Sequence, residues 1–278
     1  MRRKILLCAT LVMVTMMAAR GLTIKTRKGA TEREQYAAEY LQKKLTDQNL
    51  KGYTISLTLA TKTDSLRAEG YRIMNSKGNR ITIEGNDPSG VIYGAVELAE
   101  RLHMNQGSFT TIQESPQMVM RGTCIGLQKT VYLPGHAVYE YPYTPENFPW
   151  FYDKEQWIRY LDMMVENKYN SLYLWNGHPF ASLVMLKDYP FALEVDEETF
   201  KKNEEIFSFL THEADRRGIW VIQMFYNIIL SKPFADHYGL KTQDRHRPIT
   251  PLISDYTRKS ISAFIEKYPN VGLLVCLG

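Results

Sequence analysis

Cysteine is scarce in this chain of 278 residues: there are three, and no Cys/His cluster has zinc-ligand spacing. A disulfide scaffold and a structural zinc site are thereby excluded. Low-complexity tracts are absent, and 44% hydrophobic with 23% charged residues excludes disorder and fibrous repeats. A lasting surplus of charge is absent too. The formal charge is +4, but Arg2, Arg3 and Lys4 supply three of those charges ahead of an apolar run from Ile5 to Ala19. Positive head, apolar run and the small pair Ala18-Ala19 predict a secretory signal peptide over residues 1–19. The run of 15 residues falls short of the roughly 20 that span a bilayer, so no lasting membrane anchor is expected. Without the signal the balance is 31 basic against 30 acidic residues, which removes the compositional case for nucleic-acid binding. Cys8 leaves with the signal, and the expected location is periplasmic or secreted.

What remains reads as two domains. Residues 20–115 form a small α+β unit. Leu22–Thr26 alternates like a strand, and Thr31-Glu-Arg-Glu34 is a capping box that opens a helix. Ala37, Tyr40, Leu41 and Leu45 make its apolar stripe. Tyr53–Ala60, Gly70–Asn75 and Arg80–Glu84 alternate with period two as strands. A turn at Asn86–Gly90 then leads into a helix carrying Ile92, Ala95, Val96, Ala99 and Leu102 on one side.

Beyond Ser115-Pro116 the pattern changes to a fixed pitch. Strand-like runs begin at Met118, Ser171, Ile219 and Val271, at intervals of 53, 48 and 52 residues. Three amphipathic helices lie between them. The first is capped by Asp153 and carries Trp157, Leu161, Met164 and Val165. The second starts near Asp196 with Phe200, Phe207, Leu210 and Ala214, and the third near Ser254-Asp255 with Ile261, Phe264, Ile265 and Tyr268. Strand-to-helix segments are long and helix-to-strand returns short, the layout of a (β/α)₈ barrel whose chemistry sits at the C-terminal ends of the strands. A doubly wound sheet competes, but no Gly-rich phosphate turn follows the first strand. Four strands in residues 116–278 make about half of such a TIM-type barrel, against about 250 residues for a whole one. The expected fold class is α/β: a small N-terminal α+β domain, then the first half of a barrel.

The strand ends supply the candidate substrate-binding residues: Arg121 beside Gly122, Asn176 and His178 around Gly177, and Tyr226 with Asn227. An Arg fork suits hydroxyls or a carboxylate; the alternative is an Arg that neutralises a carboxylate within the fold. His178 is a ligand contact or a hydrogen-bonded loop histidine. Trp175, Tyr226 and Trp150 suit a sugar face or ordinary packing, and 12% aromatic residues with 18 Tyr favour a surface that stacks flat rings. His212 reads as structural, and His237 and His246 as loop residues. No Asp or Glu lies at the four strand tops, although glycoside hydrolysis usually needs two carboxylates. Cys124 and Cys276 read as buried small apolar residues. Neither a metal nor another cofactor is expected, and a metal-dependent barrel hydrolase is opposed by the lack of an H-x-H on the first strand.

EREQYAAEYLQKKL followed by GVIYGAVELAERL, and then MRG opening a barrel, resembles bacterial glycoside hydrolases. The tandem is similar to the accessory domain and barrel of β-N-acetylhexosaminidases and of family 67 α-glucuronidases. Tyr169–Phe180 (YNSLYLWNGHPF) looks closest to the α-glucuronidase-like group. The resemblance implies that Arg121 matches the sugar-binding Arg of the hexosaminidase RG pair, and that Asn176 and His178 match second-strand pocket residues. It also implies an oligosaccharide or polysaccharide-derived substrate, uronic-acid-containing sugars among them, and an acid carboxylate just after the fourth strand, beyond Gly278. The expectation is therefore the N-terminal part of an exported glycosidase, inactive as this chain alone. The alternative is a non-catalytic carbohydrate-binding or structural protein on a degenerate glycosidase fold. Purified 278-residue protein is expected to release no nitrophenol from aryl-glycosides, and measurable turnover contradicts this reading.

Overall fold

The computed structural model describes residues 21–61, 66–76, 78–104, 111–133, 136–140 and 142–277, without the side chains of 129–133 and 136–140. The signal segment expected at 1–19 and the strand end expected at Gly278 lie outside the described residues. The chain divides into two compact units, one ending at Ser115 and the other beginning at Pro116.

The first unit runs β1 (Thr23–Thr26), α1 (Glu32–Lys44), β2 (Thr54–Leu59), β3 (Tyr71–Ser76), β4 (Arg80–Gly85), α2 (Pro88–His103) and β5 (Thr111–Glu114). Its sheet has the order β1-β2-β4-β3-β5, with β1, β2 and β4 parallel and β3 antiparallel to both its neighbours. The capping box closes as the sequence predicts: Glu34 N donates to Thr31 Oγ1 at 3.4 Å and Thr31 N to Glu34 Oε2 at 2.9 Å. Arg27 adds a two-pronged bond to the same carboxylate at 2.7 and 2.9 Å. Burial alone would raise the Glu34 carboxyl, but the bonds from Arg27 and Thr31 outweigh it and hold the group below the usual range. Helix α2 begins inside the predicted turn, because Asp87 caps it by accepting from Gly90 N and Pro88 sits in its first turn. Ile55, Leu57, Ile73, Ile81 and Ile83 alternate onto one buried face of the sheet, beneath helices whose Ala37, Leu41, Ile92 and Ala95 are sealed. Each large aliphatic side chain so buried contributes about 1.5–3 kcal/mol.

The second unit runs β6 (Gly122–Gly126), an antiparallel hairpin of β7 (Lys129–Leu133) and β8 (His136–Glu140), then α3 (Lys154–Glu166) and β9 (Ser171–Trp175). It continues with the short α4 (Phe180–Leu183), α5 (Glu197–Asp215), β10 (Trp220–Tyr226), α6 (Lys232–His237), α7 (Pro251–Lys267) and β11 (Val271–Cys276). Strands β6, β9, β10 and β11 are all parallel and adjacent in chain order, the arrangement of a partial α/β barrel. Asp153 and Asp196 cap α3 and α5 as their sequences predict. Gly122 is required where it stands, since a β-carbon there would lie 1.7 Å from Ser171 O on the neighbouring strand. Buried Arg217 spans the helix layer, pairing Asp162 of α3 at 2.9 Å and also Glu213.

Three expectations change. Helix α7 starts at Pro251 and not at Ser254-Asp255, because Thr250 caps it and proline suits the first helical turn. Ile265 is 49% exposed, because the buried side of α7 is the narrow line Tyr256, Ser260, Phe264. Cys124 is exposed and Cys276 half-buried, because both point to the sheet face opposite the helices. Phe264 is sealed between Phe180, Phe207 and Tyr268, with ring centroids at 5.5, 5.8 and 5.2 Å. Phe264→Ala is expected to cost about 3–5 kcal/mol, read from the urea midpoint of the second unit; a loss under ~1 kcal/mol contradicts this packing.

Candidate functional site

The two faces of the barrel sheet differ sharply. On β10, Val221, Gln223 and Phe225 turn to the helices, and Phe225 meets the Phe180 ring at 4.9 Å. The alternate residues Trp220, Ile222, Met224 and Tyr226 take the other face. Parallel register adds Cys124 and Gly126 from β6, Tyr173 and Trp175 from β9, and Leu274 and Cys276 from β11. Trp220 is 51% and Leu274 41% exposed. Among the described residues this open face carries apolar, aromatic and small side chains and no carboxylate. At its upper end lie Trp175, whose buried Nε1 has no hydrogen-bond partner among the described residues, and half-buried Tyr226 beside exposed Asn227.

Asn176 and His178 are brought together, but as a bracket and not on the open face. Asn176 is fully buried; its Nδ2 donates to Leu127 O at 2.6 Å, and its Oδ1 accepts from His178 N at 2.8 Å. Gly177 O accepts from Tyr226 N at 3.1 Å, so this segment pins the tops of β9 and β10 together. The His178 ring turns into the helix layer. There it bonds Tyr256 OH at 2.9 Å, stacks on that ring and meets the Phe180 edge. Burial lowers its basicity to about 3, so the imidazole is neutral.

Arg121 lies at the other end of the unit, just before the first residue of β6. Its Nε and one terminal nitrogen donate to Lys168 O and Met118 O at 2.9 and 2.7 Å, and its backbone N–H to Asn170 Oδ1 at 2.8 Å. The expected position at the upper rim is therefore corrected: the run starting at Met118 becomes a strand only at Gly122, which leaves Arg121 at the lower end. Trp150 packs against Trp157 at 5.8 Å and helps line a cleft of about 360 Å³ with Ile125, Gln156 and Tyr160, on the helix side of β6.

Glu194, in the segment after β9, is a charged group that sequence reasoning passed over. Its Oε1 accepts from Lys232 N at 2.7 Å, while buried Oε2 has no partner among the described residues. Burial pushes its carboxyl up to about 7, against the lowering effect of the Lys232 N–H. A polar side chain flanked by Leu193 and Val195 was the available signal. Among the described residues no three His, Cys, Asp or Glu side chains gather into a metal-holding group.

Residues 14–115 match the family described as glycosyl hydrolase family 20, domain 2. No curated protein sequence matches the chain. Among solved structures, a GH138 enzyme targeting pectin rhamnogalacturonan II is 62% identical, with a TM-score of 0.83 over 93% of this chain and 39% of the enzyme. The chain thus spans about two-fifths of that relative's length. A β-N-acetylhexosaminidase from Bacteroides fragilis (14% identical, TM-score 0.55, covering 91% of this chain and 51% of its own) shares the fold. So does the GH20 β-N-acetylhexosaminidase from Streptomyces coelicolor (15%, 0.56, covering 92% and 55%). The chain is related to glycoside hydrolases and carries the accessory domain found with them.

Because the folded state holds the Glu194 proton more tightly than an unfolded chain, stability is lost as pH rises from about 4.5 to about 7. The loss is on the order of 3 kcal/mol. Glu194→Gln is expected to remove that slope in urea titrations between pH 4.5 and 8, whatever constant cost its amide adds. Parallel slopes in both proteins would sink the assignment.

Proposed function

We propose that this chain is the N-terminal part of an exported glycoside hydrolase acting on pectin-derived, uronic-acid-containing oligosaccharides. The observation that carries this reading is 62% identity along nearly the whole chain to an enzyme targeting pectin rhamnogalacturonan II. The upper end of the open face supports it. Trp175 and Tyr226 place half-buried aromatic rings there, and Asn227 stands exposed beside them. Such a surface suits the CH face of a pyranose and its hydroxyls. Asn176 and His178 act by positioning this wall, Arg121 by fixing the lower end of the sheet.

A second reading, carbohydrate binding without hydrolysis, draws on the open face itself, which bears no carboxylate among the described residues. The two are separated by incubating the protein, as its gene encodes it, with rhamnogalacturonan II oligosaccharides and with chitin oligosaccharides, following released sugar by chromatography. Release from the pectin substrate is expected, and Trp175→Ala should lower kcat/KM by about tenfold or more. Release from chitin oligosaccharides alone overturns the substrate class, and binding without release supports the second reading.

A further inference from the structure

We infer that Phe191, His237 and Tyr238 form a second saccharide-binding platform, outside the open face of the sheet. The three residues come from the segments that follow the C-terminal ends of β9 and β10. Phe191 is 36% and Tyr238 38% exposed, and His237 is exposed between them. His237 lies on the Phe191 ring at 4.1 Å, and Tyr238 approaches Phe191 at 6.1 Å and His237 at 4.7 Å.

The exposed rings are held from below. Phe191 is nearly parallel to buried Phe234, at 6.4 Å and 9°. Phe234 stacks in turn on Tyr256 at 3.9 Å, and Tyr256 on His178 at 5.9 Å. A single column of rings therefore runs from the bracket at the top of β9 to the surface. Tyr189 closes its side, with its edge to Phe191, Phe234 and Tyr256. Its hydroxyl donates to Asp255, which also pairs with Lys259. Rings fixed in this way lose little freedom when a ligand settles on them, which is what a weak, shallow site needs.

The chemistry of the patch selects a sugar. A pyranose presents an apolar CH face ringed by hydroxyls. The platform presents the exposed His237 and Tyr238 rings, His237 backed by Phe191, together with a Tyr238 hydroxyl and His237 ring nitrogens that make no hydrogen bond among the described residues. The Lys232–Asp236 pair stands one helical turn away at the surface and keeps the patch polar at its edge. Choosing a pectin saccharide as the ligand rests on the glycosidase reading; the platform itself rests on the ring column.

Affinity electrophoresis of the full chain in gels containing rhamnogalacturonan II oligosaccharides, with chitin oligosaccharides in parallel gels, tests the inference without requiring turnover. Retardation is expected for the unaltered chain, about tenfold weaker for Phe191→Ala and for Tyr238→Ala, and preserved in Phe191→Trp. Where Phe191→Ala fails to fold, Tyr238→Ala decides, since that ring is the more exposed. Absence of retardation in both gels, or equal retardation of the alanine variants, overturns the platform even if the enzyme hydrolyses pectin. Retardation lost with Tyr238→Ala in a protein that hydrolyses nothing leaves the platform standing and sinks only the glycosidase reading.

Discussion

The carboxamide of Asn203, on α5 and fully buried, is the interaction on which the upper half of the barrel unit depends. Its Nδ2 donates to Tyr143 O at 2.8 Å and Ser182 O at 3.0 Å, and its Oδ1 accepts from Tyr152 OH. Tyr143 continues the network, its N–H to Ser182 Oγ and its hydroxyl to Gln223 Oε1 at 3.3 Å. Gln223 then donates to Leu174 O at 2.9 Å. Long segments after β6 and β9 are thus tied to one helix and the middle of one strand. Each of these buried groups, left unpaired, would cost about 1–3 kcal/mol, so the segments are held to one arrangement.

That arrangement leaves the sheet with two unlike faces. Toward the helices most polar groups are paired inside an aromatic core; burial keeps the His178 ring neutral and raises the Glu194 carboxyl to about 7. Away from the helices the same strands show Trp220, Leu274 and Cys124 to solvent.

Local signals were legible at three helix starts, and misplaced at α2 and α7, where Asp87 and Thr250 cap. Thr31 with Glu34, Asp153 and Asp196 all cap the helices their spacing announces, and the stripes of α1, α3 and α5 are buried as read. The candidate site was less legible. Arg121 was grouped with the strand-end residues as the Arg of an RG pair early on the first strand, yet the ladder to Ser171 begins only at Gly122 and leaves it at the lower end. His178 sits beside a glycine at a strand top, a ligand-like context, but the direction of its ring is set by Tyr256, 78 residues further on. Glu194 gave no periodic signal, since its burial is imposed by the segment around Lys232.

The sequence by itself determined the two-unit organisation, the order of the main strands and helices and the resemblance to glycoside hydrolases, all properties of spacing and local hydrogen bonding; it did not announce β5, the β7–β8 hairpin, α4 or α6. The tertiary structure decided which strand-end residues are brackets and which are surface, which cysteines see solvent, and that rings from two distant segments share one exposed column. Those outcomes depend on contacts across tens of residues, where the direction of a side chain is chosen by its distant neighbour and not by its own place in the chain.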